Sequence, residues 1–280
     1  GRSMSEKSIK KIKLKDVKAY YNNYSPNVSE LIAVGNISKD EFYSRIEFLK
    51  RWEDKNISLP NNFNFPDDAP TQIYLLDKEG ATQSFILMGH RSDTYDVDGI
   101  NFKSKIMNKS LGGGASGRLF LNLREDKGYT YGAYSSFRSD KNTGLFAIQT
   151  SVKTEVTDSA LSEIFNILDN YTSDGLTNDE LLSTKKSFLN SESLKYETPN
   201  QKLRFLNRVL TYNLDRTYVN RQSKVLNSIT RNEINTLAKT QIKTDKMAIV
   251  IVGNKYLIKK KLANLKSSKD GMSYNFKINE

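Results

Sequence analysis

The sequence predicts an α+β fold: an antiparallel-rich sheet with helices packed on one face, preceded by a helix–strand–helix remnant of a homologous domain. Three observations predict it. Two-residue alternation and helical periodicity succeed each other in the order strand, strand, helix, helix, hairpin, several helices, strand. A helix-to-strand segment occurs twice, once near each end. The longest apolar run, Met247 to Val252, is strand-length, far short of the ~20 residues that span a bilayer.

The duplicated segment organises the chain. Residues 12–17 open a helical pattern, and 31–34 (Leu-Ile-Ala-Val) read as a strand ending in Gly35-Asn36. Residues 229–234 open a second helical pattern, and 248–252 read as a strand ending in Gly253-Asn254. Helix start to glycine is 23 residues in one copy and 24 in the other, with Asp16/Glu233 and Val17/Ile234 in register. Gly253 follows Gly35 by 218 positions, which implies a tandem duplication with a unit of roughly 220 residues. Residues 1–57 are then the tail of a preceding homologous domain. Residues 58–70 are a polar linker with Pro60, Asn61, Asn62, Asn64, Pro66, Asp67 and Asp68. Residues 71–265 form one nearly complete unit, and 266–280 a polar tail.

Within that unit, 71–76 and 82–88 are strand-like, with β-branched and apolar residues. Residues 100–111 have helical spacing. In 116–126, Leu119, Phe120 and Leu123 share one helical face. Residues 129–138 and 144–152 alternate around a turn at 139–143 and make a hairpin. Val156, Ala160, Ile164, Ile167 and Tyr171 recur at helical spacing. Thr177 with Glu180, and Thr230 with Glu233, are capping boxes that open two more helices.

Composition bounds the function. Of the 280 residues 37% are hydrophobic, enough for a sizeable core. No residue is cysteine, which excludes disulfides, thiolate zinc ligands and a cysteine nucleophile. The net charge of +11 comes from scattered lysines without a one-sided basic stripe, so it reads as a solvated surface and not a nucleic-acid interface. Gly1 to Met4 read as a cloning remnant, and no signal peptide is visible. The cysteine-free, Asn/Lys-rich composition fits an exported or periplasmic bacterial protein.

The most informative stretch is 111–134, LGGGASGRLFLNLREDKGYTYGAY. Gly112, Gly113 and Gly114 have two readings. They let a helix end turn sharply, or they let a ligand backbone approach closely. Arg124 near a helix end reads as a dipole or ion-pair partner, and Tyr131 as a strand residue. The single histidine, His90, sits at a strand end and reads as structural. With one histidine the chain cannot contain an H-x-x-E-H or H-E-x-x-H zinc helix. The nearest acidic cluster, Asp93/Asp96/Asp98, reads as a polar loop. There is no G-x-S-x-G elbow and no P-loop, since no Gly-Lys-Ser/Thr follows the glycines.

The run Gly112-Gly113-Gly114, Ser116-Gly117-Arg118-Leu119-Phe120, Leu123-Arg124-Glu125, Gly128 and Tyr131 resembles the second-domain signature of the insulinase/pitrilysin zinc metallopeptidases, which include the mitochondrial processing peptidases. The resemblance takes in Thr82-Gln83-Ser84, Met88-Gly89-His90 and 12–36, and spans about residues 8–265. It implies a repeated-domain architecture with zinc, the expected cofactor, held by an H-x-x-E-H helix on a first domain or partner subunit and not in this chain. It implies that Arg124 and Tyr131 face that site as auxiliary catalytic residues, with Gly112, Gly113 and Gly114 lining the substrate. Arginine would hold a substrate carbonyl or carboxylate, and the tyrosine hydroxyl would serve as oxyanion donor. The implied substrate is a peptide held in extended form against a sheet edge. The implied function is a cleft-forming, non-zinc-binding domain of a zinc metallopeptidase; the alternative is an inactive, peptide-binding or scaffold subunit.

Overall fold

The computed structural model describes residues 4–59, 64–262, 265 and 277–279. They divide into two compact units, one within Gly1–Asn64 and Ser193–Leu214, the other within Phe65–Glu192 and Asp215–Glu280.

The first unit opens with three short helices, α1 (Glu6–Lys10), α2 (Leu14–Tyr21) and α3 (Lys39–Arg45). Side-chain caps start α1 and α3: Ser5 Oγ accepts from Ser8 N and Ser38 Oγ from Glu41 N. Asp16 accepts from Lys13 N at 2.8 Å and closes the start of α2. None of these helices contains a buried residue. Residues 31–34 form no strand, contrary to the sequence pattern. A strand exists only through its ladder, and no described residue offers one here, so the segment's backbone stays unpaired.

The second unit contains the sheet. Its elements run β1 (Gln72–Asp77), β2 (Gln83–Ser92), α4 (Ile100–Leu111), α5 (Arg118–Phe120), β3 (Thr130–Ser139), β4 (Gly144–Lys153), α6 (Thr157–Asp174) and α7 (Asn178–Leu194). The chain then forms α8 (Pro199–Tyr212), grouped with the first unit, and returns through α9 (Tyr218–Ser228), α10 (Arg231–Gln241), β5 (Ala248–Gly253), α11 (Lys255–Leu262) and β6 (Lys277–Asn279). The strand order is β3-β4-β2-β5-β1-β6. The first four strands are antiparallel neighbours; β5–β1 and β1–β6 are parallel. The α+β class and the antiparallel-rich sheet are as the sequence predicts.

Alternation decides the sheet's two faces. Ile73, Leu75, Ile86, Met88, Phe146, Ile148, Ile249 and Ile251 are all but fully buried. They join Ile106, Leu111, Leu161, Ile164 and Ile234 from the helices in one core. The predicted helix at 116–126 begins two residues later, and its last six residues, Leu121–Asp126, are wound as a π-helix. Helices α8, α9 and α11 and strand β6 were not legible in the sequence. Of the predicted linker, 60–63 lie outside the described residues, as do 263–264 of the main domain and 266–276 and 280 of the tail.

One charged clasp ties three helices of this unit together. Arg118 donates to Glu180 through Nε and Nη2, both at 2.7 Å, and from Nη2 to the Gly175 carbonyl at 2.7 Å. Its guanidinium lies 4.9 Å from the Tyr171 ring centroid. Glu180 also accepts from Thr177 N, so the capping-box glutamate does two jobs. Burial would raise the Glu180 carboxyl, but Arg118 and Thr177 outweigh it and hold it below its ordinary range. The buried Tyr171 hydroxyl bonds the Met107 carbonyl and Ser110 Oγ at 2.8 Å each, and burial pushes its pKa up. Arg118→Ala leaves the half-buried Glu180 carboxylate without its cation and the helix-ending carbonyl of Gly175 without its donor. It should lower unfolding stability by about 2–3 kcal/mol in urea titrations, with little change in the denaturant slope.

Candidate functional site

The glycine turn, the π-wound helix and the start of β3 form one structural block. At the end of α4, Asn108 Nδ2 donates to the Ser135 carbonyl at 2.8 Å, and Ser135 Oγ donates to Asn108 Oδ1 at 2.6 Å. Ser135 N donates to the Gly112 carbonyl at 2.9 Å. A Cβ on Gly112 would lie 2.4 Å from Ser135 Oγ and 2.7 Å from Leu119, so only glycine lets the helix end approach β3 this closely. A Cβ on Gly113 would meet the Lys109 Cα at 2.8 Å. At Gly114 the nearest atom is the mobile end of a side chain, Lys109 Nζ at 3.2 Å. Gly112 is therefore buried in helix–strand packing, whereas Gly113 is exposed and Gly114 half-exposed.

The block carries Arg124 on the π-helical turn. Lys127 N donates to the Asn122 carbonyl at 2.9 Å, the five-residue spacing that defines such a turn. Leu119 and Leu123 are fully buried beneath it. The Arg124 guanidinium lies 5.0 Å from the Phe120 ring centroid, Nε is 3.4 Å from Glu125, and Nη1 donates to the Tyr131 carbonyl at 3.1 Å. Arg124 and Tyr131 are thus brought together, through the tyrosine's backbone.

Tyr131 sits in a β-bulge. Thr130 pairs with Val152 and Ala133 with Thr150, so β3 holds one residue more than β4 across this step. Hydroxyls satisfy the displaced backbone. Thr130 Oγ1 donates to the Ser151 carbonyl at 2.7 Å and accepts from Gly132 N at 3.0 Å, and Thr150 Oγ1 donates to the Gly132 carbonyl at 3.0 Å. The Tyr131 carbonyl accepts from Arg124 Nη1. The bulge throws the Tyr131 side chain outward, and the residue is 87% exposed. Thr130 and Thr150 were not picked out from the sequence; the isolated glycine at 132 inside a strand was the available signal of a bulge.

Beside this edge, the sheet face away from the helices is apolar. Lateral pairing places Tyr74, Val250, Leu87, Gln149 and Tyr134 in one row across five strands, and Leu76, Val252 and Phe85 in the next. Tyr74, Leu76, Phe85 and Leu87 are 39–51% exposed, so this face is a half-open hydrophobic wall leading to Tyr131.

The residues present do not fit a zinc ion. His90 is buried, with Nδ1 2.7 Å from the Arg91 carbonyl and Nε2 accepting from Lys243 N at 3.1 Å, so both ring nitrogens are engaged. Asp96 caps α4, accepting from Gly99, Asn101 and Phe102 N, and Asp98 pairs with Arg221 at 2.8 Å. Among the described residues no group of three or more His, Asp or Glu side chains is placed to hold a metal. No described helix is long and apolar enough to cross a membrane.

Comparison with known proteins gives a consistent answer. The family model described as peptidase M16 inactive domain matches residues 11–188. The Helicobacter pylori protein named non-peptidase homolog YmxG is 27% identical over 260 residues, covering 90% of this chain and 58% of that protein. The Bacillus subtilis protein named uncharacterized zinc protease YmxG is 27% identical over 65% of this chain and 44% of its own length. The chain therefore spans about half the length of these curated relatives. The crystal structure of a peptidase M16 inactive domain from Pseudomonas fluorescens superposes with a TM-score of 0.77 at 24% identity, over 89% of this chain and 60% of that one, and shows the same fold.

The His90 geometry has a pH consequence. Burial holds its pKa below the ordinary 6.5, with the Lys243 charge acting the same way and the Arg91 carbonyl, Asp68 and Asp245 opposing. The unfolded chain therefore takes up a proton near pH 6.5 that the folded chain refuses, and folding stability falls as pH drops below that value. Thermal melts between pH 8 and 5 should show this decline, and His90→Gln should flatten it while lowering stability throughout.

Proposed function

The chain belongs to the peptidase M16 inactive-domain family, and from that premise we propose that its sheet unit forms one wall of a peptide-binding cleft and lends Arg124 and Tyr131 to a zinc-bearing unit outside this chain. The observation that carries the proposal is the coupling at the bulge. Arg124 is bonded to the backbone of the residue whose side chain is thrown outward, so the guanidinium and the phenol are held as a pair on the rim of the apolar sheet face. A π-helical turn and a β-bulge are devices proteins use to re-aim functional side chains.

The chemistry of this chain's own groups is limited and specific. An extended peptide along the open edge of β3 brings a carbonyl oxygen within reach of the Tyr131 hydroxyl. As negative charge develops on that oxygen during attack, the hydroxyl strengthens its hydrogen bond. Arg124 contributes positive potential beside the same oxygen and keeps the bulge in place. At the adjoining turn, the exposed Gly113 and half-exposed Gly114 let a peptide backbone approach closely. The metal chemistry belongs to the other unit.

A second reading is favoured by one finding: the Helicobacter relative that covers 90% of this chain is named a non-peptidase homolog. On that reading the same wall and edge bind a peptide that is not cut.

The test is to join this chain to a homologous zinc-bearing unit and assay peptide hydrolysis. Tyr131→Phe should lower kcat about 10²–10³-fold with little change in KM, because the hydroxyl acts in the transition state. Arg124→Ala should lower kcat and raise KM together, because it also loosens the bulge. Normal turnover by Tyr131→Phe overturns the role assigned to Tyr131; retained peptide binding with no hydrolysis by the unmodified assembly selects the scaffold reading.

A further inference from the structure

Strand β3 ends the sheet, and the positions it turns away from the helices change character along its length. Past the bulge, β3 runs in unbroken register with β4 from Ala133 to Ser139. Ala133, Ser135 and Phe137 are buried, so Tyr134, Ser136 and Arg138 alternate onto the open face. Tyr134 ends the row of Tyr74, Val250, Leu87 and Gln149. Ser136 ends a row of small residues, Ala147, Gly89 and Ala248. Arg138 ends a row with Leu145 and Arg91. It follows Tyr134 by four positions, about 14 Å along an extended strand. A chain laid on this edge meets an apolar step, a shallow step and a cationic step in succession.

The charges of this face have one sign. Among the described residues, its strand positions hold Arg91, Arg138, Lys153 and Lys277, and no aspartate or glutamate. Asp77, at the end of β1, alternates to the helix side and accepts from Lys255 N at 3.0 Å. Asp68 holds Arg91 through Nε at 2.9 Å and Nη2 at 2.8 Å, so that guanidinium is already answered. Arg138 is exposed, and no described carboxylate pairs with it. Its guanidinium stands open on the strand that ends the sheet. A basic residue there repels a basic partner strand and attracts an acidic one.

We propose that Arg138 sets the class of peptide this edge accepts: extended segments with an apolar residue beside Tyr134 and an acidic residue four positions away. The inference rests on the reading of β3 as a peptide-binding edge, and adds to it which peptides bind. An added strand places its residues directly opposite those of β3, with Cβ atoms about 4.5–5.5 Å apart. Side chains return to the same face every second residue, so the fourth position from Tyr134 faces Arg138. A carboxylate there takes the arginine's fork of donors. A lysine or arginine there meets a like charge, and the strand positions of this face offer it no carboxylate instead. The apolar row supplies burial for any such peptide; Arg138 supplies the discrimination. Tyr131 and Arg124, at the other end of the same strand, take no part in it.

The test is direct binding of three dye-labelled peptides to this chain, read by fluorescence anisotropy. The first is Glu-Ser-Val-Ser-Phe-Ser-Val-Ser-Glu with blocked ends; the others carry Gln or Lys in place of both Glu residues. The carboxylates stand four positions either side of Phe, so either strand direction brings one to Arg138. The Glu peptide should bind about 10-fold more tightly than the Lys peptide, with the Gln peptide between them. The gap should narrow as salt is raised. Arg138→Glu should invert the order, and the milder Arg138→Gln should abolish it. Lys239→Glu, the same change of net charge on α10 in the helix layer, should leave the order as it was. Equal binding of the three peptides, or an order that Arg138→Glu and Arg138→Gln leave unchanged, overturns the proposal and keeps the peptide-binding edge. Binding of none of them overturns the edge itself, and the proposal with it.

Discussion

The clasp between the end of α4 and the middle of β3 is the contact on which the site depends. A buried asparagine brackets the backbone and hydroxyl of Ser135, and the Gly112 carbonyl takes the Ser135 amide. Both Asn108 and Ser135 are 6% exposed, so these bonds form away from water, where leaving one unmade is costly. The approach needs the absent Cβ of Gly112. Once it is made, the glycine turn has little freedom, Leu119 and Leu123 have fixed positions in the core, and the π-turn that follows can direct Arg124 only toward the start of β3.

The site that results is made largely from backbone irregularities, several of whose polar groups are met by side chains. The π-turn and the bulge each add one residue to a regular element. The carbonyls of Ser151, Gly132 and Tyr131 are met by Thr130, Thr150 and Arg124. An unsatisfied bulge would relax back into the ladder; a satisfied one holds Tyr131 out at the rim. Arg124 thus connects two roles, support of the bulge and presentation of positive charge beside the tyrosine.

The two units differ in how far their apolar residues find partners. The sheet unit closes a continuous core in which strand residues of alternate register are buried. Helices α1, α2 and α3 bury nothing, and Val17, Tyr20 and Tyr21 on α2 are more than half exposed.

Periodicity and capping signals are local, and they determined much of this protein without its tertiary structure. Helix α4 occupies the predicted 100–111, the hairpin strands lie within a residue of their predicted limits, and both capping boxes form at Thr177 and Thr230. The spacing of Arg124 and Tyr131 was equally legible, because a motif is a property of order along the chain. What the sequence could not decide were matters of pairing. Residues 31–34 have a strand's alternation and no strand's partner, so propensity alone placed a strand where none forms. The bulge and the outward throw of Tyr131 depend on hydrogen bonds between residues 7 to 21 positions apart, and Arg118 was seen only as part of a motif until Glu180, 62 positions away, closed on it. Local physics writes the elements; only contacts between distant segments choose which backbone groups are satisfied, and those choices made the site.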